Sequence, residues 1–374
     1  MLEFVSQRDP FELRELASTA RKFAEARLGT VGFQREHFND MGELGLAGMC
    51  LDEAVGGSSF DSLSIAATIF EIARVQLGPA IYLSVHQMVS KLIQNYWEAP
   101  DKQSLLSELA AGTKLGAYCL TEASAGSDAS SLKTTARQES SGDWLLNGEK
   151  IYITSAGLAD VYLVFARTSD SARSSITAFL VTKESRGIEF GPAERKMGAE
   201  GSPIGSVLLR DCRVPADRVV GGVGEGYRIA LSGLNGGRIN IAAAACGLSS
   251  AAITLARSHL SERSQFGSPL KDFQGLQFMI AEMAMKLRAA VLVTRDAAGE
   301  LDRAPTVNWP ASIAKCFASD RAMEITTDAV QLFGGAGYLA DYKVEQLMRD
   351  AKMLQIVEGT NQIQRVLIAR SLFG

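Results

Sequence analysis

The feature that most constrains the fold is a change in the spacing of apolar residues along the chain. From residue 11 to about residue 113, apolar residues recur three and four positions apart, in segments such as F-E-L-R-E-L-A-S-T-A, M-G-E-L-G-L-A-G-M and S-I-A-A-T-I-F-E-I-A-R-V. This spacing places one apolar stripe along each helix. Residues 1–113 are therefore predicted to form an all-helical domain.

Beyond residue 114 the pattern changes to short alternating and β-branched runs, such as V-Y-L-V-F-A-R-T and S-V-L-L-R-D-C-R-V. Within D-W-L-L-N-G-E-K-I-Y-I-T, the pair Asn147-Gly148 predicts a hairpin turn between two strands. Because no long helical segments separate the strands, residues 114–225 are predicted to form an antiparallel β domain. The glycine cluster at residues 221–226 does not have dinucleotide-binding spacing, and we interpret it as a domain boundary.

Residues 226–374 return to helical spacing, with long stripes such as F-Q-G-L-Q-F-M-I-A-E-M-A-M-K-L. Met283 and Met285 in this stripe are interpreted as core residues, because methionine at helical spacing usually fills a core. The predicted fold class is therefore α+β, with helices, then a β domain, then helices.

Composition argues against several kinds of partner. The net charge of −4 and the lack of a Lys/Arg cluster predict no nucleic-acid partner, and no run approaches the ~20 apolar residues that a membrane span needs. The N-terminal residues resemble neither a secretory signal nor a transit peptide, so a cytoplasmic location is expected. Five singly placed cysteines predict a reducing compartment, and three widely separated histidines predict no metal site.

One carboxylate near the C-terminus, Glu358, stands between the apolar Val357 and the turn-prone Gly359. Desolvation would raise its pKa toward neutrality, which suits a general base. The alternative is a helix cap, in which Thr360 or Asn361 caps the next helix and Glu358 is solvated. The local pattern leaves both interpretations open, and caps are the commoner feature.

Four further segments combine polar or glycine-rich chemistry with an ordinary structural alternative. T-E-A-S-A-G-S-D (residues 121–128) suits backbone approach to a flat ring, or is a Ser/Gly turn. I-Y-I-T (residues 151–154) places an aromatic ring and a hydroxyl on one strand face, for a cofactor or for sheet packing. Arg263 in R-S-Q-F-G suits a pyrophosphate or a surface helix end, and Q-L-F-G-G-A-G-Y (residues 331–338) suits a phosphate contact or a C-cap.

In their order and joint spacing, these four segments and R-D-A-K-M-L-Q-I-V-E-G-T-N-Q-I-Q-R (residues 349–365) resemble the motif series of the acyl-CoA dehydrogenase family. The resemblance runs through nearly the whole chain. It implies an N-terminal helical domain, a middle β-barrel domain and a C-terminal four-helix bundle, assembled as a homotetramer. It also implies bound FAD, an acyl-CoA substrate and an electron-transfer flavoprotein as electron acceptor.

The resemblance makes Glu358 the base that removes the α-proton of the acyl-CoA, while a β-hydride passes to flavin N5. Some family members carry the base instead at the position that matches Gly237. Glycine has no side chain that could act as a base, so this departure strengthens the assignment of Glu358. The implied substrate contacts are Ser127, Arg238, Val357 and Gly359. The implied FAD contacts are Leu120, Thr121, Ser127, Tyr152, Thr154, Arg263, Phe266, Gln274, Gln331, Gly335, Thr360 and Gln362.

For the substrate, the segments G-L-N-G-G-R-I-N-I-A, Y-C-L-T-E and S-L-F-G most resemble the isobutyryl-CoA dehydrogenase subgroup of valine breakdown, which forms methacrylyl-CoA. Butyryl-CoA and 2-methylbutyryl-CoA are alternative substrates, because one methylene in a pocket discriminates by only ~1–3 kcal/mol. An oxidase-type flavoenzyme is a further alternative. Two departures from the family are a tyrosine, Tyr152, where tryptophan is commoner, and a shortened connection between the first two helices.

Overall fold

A computed structural model describes residues 2–29, 32–169 and 175–373 of the chain. The N-terminal part consists of helices, as predicted: α1 (Phe11–Arg27), α2 (Arg35–Glu43), α3 (Ser62–Val75), α4 (Leu77–Tyr96) and α5 (Lys102–Ala110). Asp61 caps α3 by accepting a hydrogen bond from the Ser64 amide. The shortened connection between α1 and α2 includes residues 30 and 31, which lie outside the described residues.

The prediction of a helix over M-G-E-L-G-L-A-G-M is wrong. Helix α2 ends at Glu43, and Gly45 has a φ of +74°, the left-handed conformation in which glycine ends helices without steric cost. The residues that follow form turns rather than a further helix. The apolar side chains Leu46, Ala47 and Met49 are nonetheless buried, so their spacing reports burial and not helix.

The middle of the chain forms an eight-stranded sheet with strand order β6-β7-β3-β2-β4-β5-β8, and β1 pairs with β4. The strands are β1 (Gly116–Cys119), β2 (Thr135–Gln138), β3 (Trp144–Thr154), β4 (Val161–Arg167), β5 (Ile176–Thr182), β6 (Ile188–Phe190), β7 (Ile204–Val214) and β8 (Val219–Val220). Most pairings are antiparallel, as predicted, whereas β4 runs parallel to both β1 and β2. Strands β4 and β5 are apolar along most of their length because both of their faces are buried.

The predicted hairpin at Asn147-Gly148 is wrong, because β3 runs through both residues. The register of β3 against β7 shifts between Leu146 and Gly148, and Gly148 has a φ of +150°. The Asn147 side chain donates to Oδ1 of Asp211 and accepts from the Asp211 amide, both at 2.9 Å. Glycine tolerates the unusual φ of a bulge as well as that of a turn, so the same dipeptide serves either.

The C-terminal part is again helical, as predicted, with α6 (Gly226–Glu262), α7 (Gln274–Arg303), α8 (Trp309–Phe333), α9 (Lys343–Leu354) and α10 (Asn361–Phe373). A short hairpin of β9 (Ser264–Gln265) and β10 (Ser268–Pro269) joins α6 to α7. Helix α6 packs against α3 and α4 as well as α7, α8 and α9. It is long and apolar enough to cross a membrane by composition, but 89% of its most apolar window is buried inside the protein, as in a core helix.

The interpretation of Met285 as a core residue is wrong, although that of Met283 holds. Met283 is fully buried, whereas 64% of Met285 is exposed. Residues two positions apart on a helix point about 200° away from each other, so one methionine faces the core and the other faces outward.

Candidate active site

The candidate base, Glu358, lies in an irregular turn between α9 and α10. Two consecutive residues of this turn are left-handed, Glu358 with a φ of +56° and Gly359 with a φ of +87°. A left-handed conformation costs a residue other than glycine about 1–2 kcal/mol, so the turn requires support from its surroundings. Thr360 caps α10, because its Oγ1 accepts a hydrogen bond of 3.3 Å from the Ile363 amide.

The carboxylate of Glu358 is shielded from water even though the residue as a whole is partly exposed. Its Oε2 is buried and has no hydrogen-bond partner among the described residues. Burial raises the pKa of Glu358 to about 7, against the opposing charges of Arg238 and Lys315. The cap at Thr360 and a desolvated Glu358 therefore occur together, so the two alternatives from the sequence do not exclude each other.

Three side chains hold the backbone of this turn. Gln364 Nε2 donates to the carbonyls of Glu358 and Gly359, at 3.0 and 2.9 Å. Arg238 Nε donates to the Glu358 carbonyl at 3.3 Å, and Lys315 Nζ donates to the Gly359 carbonyl at 3.0 Å. The amide of Glu358 itself makes no hydrogen bond within the part of the chain that the structure describes. It remains available as a donor to a ligand.

Sequence reasoning missed Lys315 and Gln364. Gln364 belongs to the same segment as Glu358, in which its amide side chain was the available signal. Lys315 lies far earlier, in a helix that carries several other charged residues, and no local pattern connects it with Glu358. Only the packing of α10 against α8 brings the two together.

Gly237 of α6 faces the Glu358 carboxylate. A Cβ built on Gly237 would lie 2.9 Å from both Cδ and Oε2 of Glu358. Such a contact is too close for unbonded carbon and oxygen atoms, so a side chain at this position would displace the carboxylate. The absence of a side chain at Gly237 gives Glu358 its space.

A cavity of about 750 Å³ lies between α4 and α6 and reaches Gly237 and Arg238. Its size is within the range of small-molecule sites. The wall contributed by α4 is mixed in character, with Met88 and Leu92 next to the polar Gln87. The cavity therefore has both polar and apolar walls and reaches Gly237, which faces the Glu358 carboxylate.

A second group of candidate residues meets where β1 ends and β3 bulges. The Ile151 amide donates to the Thr121 carbonyl at 2.9 Å, and Lys150 Nζ donates to the Leu120 carbonyl at 3.2 Å. The register of β3 against β7 shifts between Lys150 and Ile153, and Tyr152 within this bulge has a φ of +57°. As a result 63% of the Tyr152 side chain is exposed rather than packed in the sheet.

A buried ion pair beneath this group was also missed. Lys150 Nζ lies 2.7 Å from Glu122 Oε1, and both side chains are buried. Glu122 also accepts hydrogen bonds from the amides of Lys133 and Thr134 and from the Thr134 hydroxyl. Burial opposes ionisation of Glu122, but the charge of Lys150 and these donors hold the pKa of the carboxyl below its ordinary value. Both residues lie in polar segments, T-E-A-S-A-G-S-D and N-G-E-K, so no local pattern marked either side chain as buried.

The other candidate residues lie on the outside of the C-terminal bundle. Phe266, at the tip of the β9–β10 hairpin, has a φ of +54° and is 94% exposed. Among the residues that the structure describes, no hydrogen bond or ion pair joins this hairpin to the Tyr152 bulge. Thr360 and Gln362 line a separate cavity of about 340 Å³. The residues exposed at these helix ends are Arg263, Phe266, Gln274, Gln331 and Gly335.

The candidate residues thus form three groups: one around Glu358, one at the Tyr152 bulge and an outer group at the helix ends. Arg238 and Thr360 make side-chain hydrogen bonds, but many of the other polar candidates are free. No side-chain hydrogen bond is found within the described residues for Thr121, Ser127, Thr154, Arg263, Gln274, Gln331 and Gln362. Free hydroxyls, amides and a guanidinium beside an exposed aromatic ring suit a ligand that has a flat ring system and phosphates.

The sequence matches the acyl-CoA dehydrogenase family in three consecutive parts. The family's N-terminal domain matches residues 11–113, its middle domain matches residues 117–212 and its C-terminal domain matches residues 224–373. The chain therefore belongs to the acyl-CoA dehydrogenase family. It is a flavin-dependent oxidoreductase whose cofactor is FAD and whose substrate is an acyl-CoA. The donor set described above fits that cofactor.

Two relatives and two solved structures show how close the similarity is. The chain is 40% identical over 373 residues to the probable acyl-CoA dehydrogenase fadE25 of Mycobacterium leprae, covering 97% of this chain and 96% of the relative. It is 39% identical over 343 residues to the mitochondrial isobutyryl-CoA dehydrogenase of Dictyostelium discoideum, covering 91% and 82%. The structure of butyryl-CoA dehydrogenase from Megasphaera elsdenii matches with a TM-score of 0.96 at 37% identity, over 99% of this chain and 100% of that one. A structure described as the electron transferring flavoprotein of Acidaminococcus fermentans matches with a TM-score of 0.94 at 39% identity, over 98% and 99%.

Proposed function

We propose that this protein dehydrogenates a short branched-chain acyl-CoA, isobutyryl-CoA to methacrylyl-CoA, with Glu358 as the base. The observation that carries the proposal is the Oε2 atom of Glu358, which is buried, has no partner among the described residues and faces the open position at Gly237. A pKa of about 7 keeps a substantial fraction of this carboxylate ionised near neutral pH, while making it a stronger base than an exposed glutamate.

The α-proton of a thioester is weakly acidic, so the negative charge that develops on the thioester carbonyl needs stabilisation. The free amide of Glu358 is a donor that lies in the same residue as the base. Gln364 and Arg238 donate hydrogen bonds to the Glu358 carbonyl and so hold this turn in place. FAD, when bound, supplies the acceptor for the two electrons that leave with the β-hydride.

The substrate contacts proposed beside the base are Arg238, Val357 and Gly359. Val357, next to Glu358, has a compact side chain without an aromatic ring. It therefore leaves room for an acyl group that is branched at its α-carbon. Ser127 lies exposed in the loop after β1, with a free hydroxyl, and is proposed to contact the CoA part. Met88 and Leu92 are the apolar part of the α4 wall and are proposed to contact the acyl chain.

For the cofactor, we assign Leu120, Thr121, Ser127, Tyr152 and Thr154 to the flavin ring, because they lie at or close to the junction between the end of β1 and the bulge of β3. The outer group is assigned to the adenine dinucleotide half. Its members are exposed, apart from the half-buried Thr360, and are separate from the bulge, so we infer that they serve FAD bound in a second copy of the chain, within a homotetramer. The outer group comprises Arg263, Phe266, Gln274, Gln331, Gly335, Thr360 and Gln362.

The choice of isobutyryl-CoA is supported by the Dictyostelium relative, whereas the Megasphaera structure supports butyryl-CoA as the main competitor. We propose an electron-transfer flavoprotein as the electron acceptor, in line with the description of the Acidaminococcus structure. A reducing cytoplasm suits the five cysteines, all of which are buried and unpaired. Domain boundaries at 113/114 and 225/226 remain part of the same proposal.

The central test replaces the base. In an anaerobic stopped-flow experiment, isobutyryl-CoA should bleach the flavin of the wild-type protein, and Glu358→Gln should lower that rate by about 10²–10⁴-fold, the usual value of a general base. The visible flavin spectrum and the binding of CoA serve as controls that the site is intact. A Glu358→Gln variant that bleaches at the wild-type rate would refute the assignment.

The same assay separates the substrates and the reaction types. We expect isobutyryl-CoA to reduce the flavin faster than 2-methylbutyryl-CoA, butyryl-CoA and isovaleryl-CoA at equal concentration. A faster reaction with butyryl-CoA would move the protein to its straight-chain relatives. Peroxide formation in air, without an added electron carrier, would identify an oxidase instead.

A further inference from the structure

The turn that carries Glu358 is held from below by α8, and one residue there has no role in the proposed function. Lys315 is fully buried. Its Nζ donates to the Gly359 carbonyl at 3.0 Å and to Asn361 Oδ1 at 2.8 Å. We propose that Lys315 is a positioning residue for the base, because it fixes the apex of the turn and keeps a positive charge beside the Glu358 carboxylate. This inference rests on the proposed role of Glu358.

The burial of Lys315 is costly unless another group compensates its charge. Moving an ammonium group out of water costs several kcal/mol, and such groups are normally paired with a carboxylate. No carboxylate lies within salt-bridge distance of Lys315 in the described chain. Burial lowers the pKa of Lys315 to about 8, and the Glu358 carboxylate is the strongest of the groups that oppose this change. A methionine would fill the same space in α8 without that cost, so the charge calls for a functional explanation.

Neighbouring residues of α8 hold the two ends of the same turn. Asp320 accepts hydrogen bonds from Gln355 Nε2 and Asn361 Nδ2, both at 2.7 Å. The backbone N–H of Asn361 also donates to the backbone carbonyl of Gln355 at 3.0 Å, which closes the turn. Asp320 therefore holds the two ends of the turn together, while Lys315 supports its middle at Gly359. With both supports in place, the left-handed backbone at Glu358 directs its carboxylate toward Gly237.

The charged and titratable groups that face Glu358 come from three elements. Arg238 approaches from α6, Lys315 from α8 and Tyr118 from β1, while α10 contributes the uncharged Gln364. Burial, together with the nearby Glu358, keeps the pKa of Tyr118 well above its ordinary value, so Tyr118 stays neutral. Arg238 remains charged at any working pH. Lys315 is thus the neighbouring cation that a single substitution removes while Arg238 stays in place.

The test compares Lys315→Met, which removes both donor and charge, with Lys315→Gln, which keeps a donor for Gly359 but no charge. The readout is the pH dependence of flavin reduction by isobutyryl-CoA, or by butyryl-CoA if that reacts faster. Without the cation, Glu358 should hold its proton to higher pH. The acidic limb of the pH–rate profile should therefore shift to higher pH by about one unit in both variants. At high pH, Lys315→Gln should approach the wild-type rate, and Lys315→Met should stay at least about tenfold slower because its turn is unsupported.

Lys286→Met is the matched control, because Lys286 pairs with Glu324 and Asp328 on the outside of the bundle and does not contact the turn. Its acidic limb should coincide with that of the wild type. An unmoved limb in Lys315→Gln, with any rate loss equal at every pH, would overturn the inference even if Lys315→Met fails to fold. Glu358→Gln distinguishes the two proposals. If this variant remains active, the assignment of the base fails. If it is inactive but the acidic limb of Lys315→Gln does not shift, only the role of Lys315 is rejected.

Discussion

Two adjacent glycines on α6, Gly236 and Gly237, have opposite surroundings. A Cβ on Gly237 would meet the Glu358 carboxylate at 2.9 Å, whereas a Cβ on Gly236 would meet nothing within 4 Å. Both lie inside a helix, where alanine is favoured over glycine by about 1 kcal/mol. At the scale of single residues, the two positions therefore separate the effect on helix stability from the effect on the base.

We predict that Gly237→Ala lowers the rate of flavin reduction by about tenfold or more, since small displacements of a reacting group have effects of this size. Gly236 also lines the cavity, but its Cβ would enter open space, so Gly236→Ala should change the rate less than Gly237→Ala does. It should raise the free energy of unfolding by up to about 1 kcal/mol. Stopped-flow reduction and urea unfolding measure the two effects. Equal rates in the two variants would show that the carboxylate can move aside without loss.

At the scale of the elements, the end of β1 and the bulge of β3 are joined by the buried Lys150–Glu122 pair. The Glu122 carboxylate accepts hydrogen bonds from Lys150, Lys133 and Thr134, so it connects three segments of the chain. Removing one member of such a pair leaves the other charge buried and uncompensated. The geometry of the proposed flavin contacts at Leu120 and Tyr152 therefore depends on residues beneath them.

Glu122→Gln is expected to lower the free energy of unfolding by about 3–5 kcal/mol, the usual effect of breaking a buried ion pair. It should also release FAD during gel filtration. The control is Glu98→Gln, which breaks an exposed pair with Lys102 and should change stability by less than about 1 kcal/mol. If urea unfolding showed similar losses for both variants, the buried pair would have no special part in holding the two elements together.

At the scale of the whole molecule, α7 presents an exposed apolar stripe. Phe278, Met285 and Leu292 lie seven residues apart, and half or more of each side chain is exposed. Residues at this spacing lie on one face of a helix, as in helices that pack against a partner. A line of exposed large apolar side chains is typical of a protein interface. This stripe supports the proposed homotetramer.

Met285→Glu, at the centre of the stripe, should shift the protein toward smaller assemblies in sedimentation velocity experiments, because a charge would be buried at the interface. Leu44→Glu is the control, since Leu44 is an exposed apolar residue of the N-terminal helical part. If the outer group of FAD contacts comes from a second copy, the Met285→Glu protein should also lose FAD more readily. An unchanged sedimentation coefficient would place the interface elsewhere.

Part of the fold and of the site follows from local pattern. Helix, sheet and helix could be predicted in order because apolar periodicity is set within each segment. Glu358 could be proposed as a base because a carboxylate next to apolar residues loses water when those residues are buried. The family resemblance rested on the order of short motifs, which is also a property of the chain alone.

The remaining features depend on residues that are distant in sequence. Asn147-Gly148 became a bulge because β3 has β7 beside it, and Met285 faces outward because the neighbours of α7 cover only its other side. Lys315 and Gly237 reach Glu358 from separate helices. By itself the sequence determined the order of the elements and the identity of the candidate base. The tertiary structure decided the surroundings of that base, because desolvation and charge depend on which atoms lie nearby in space.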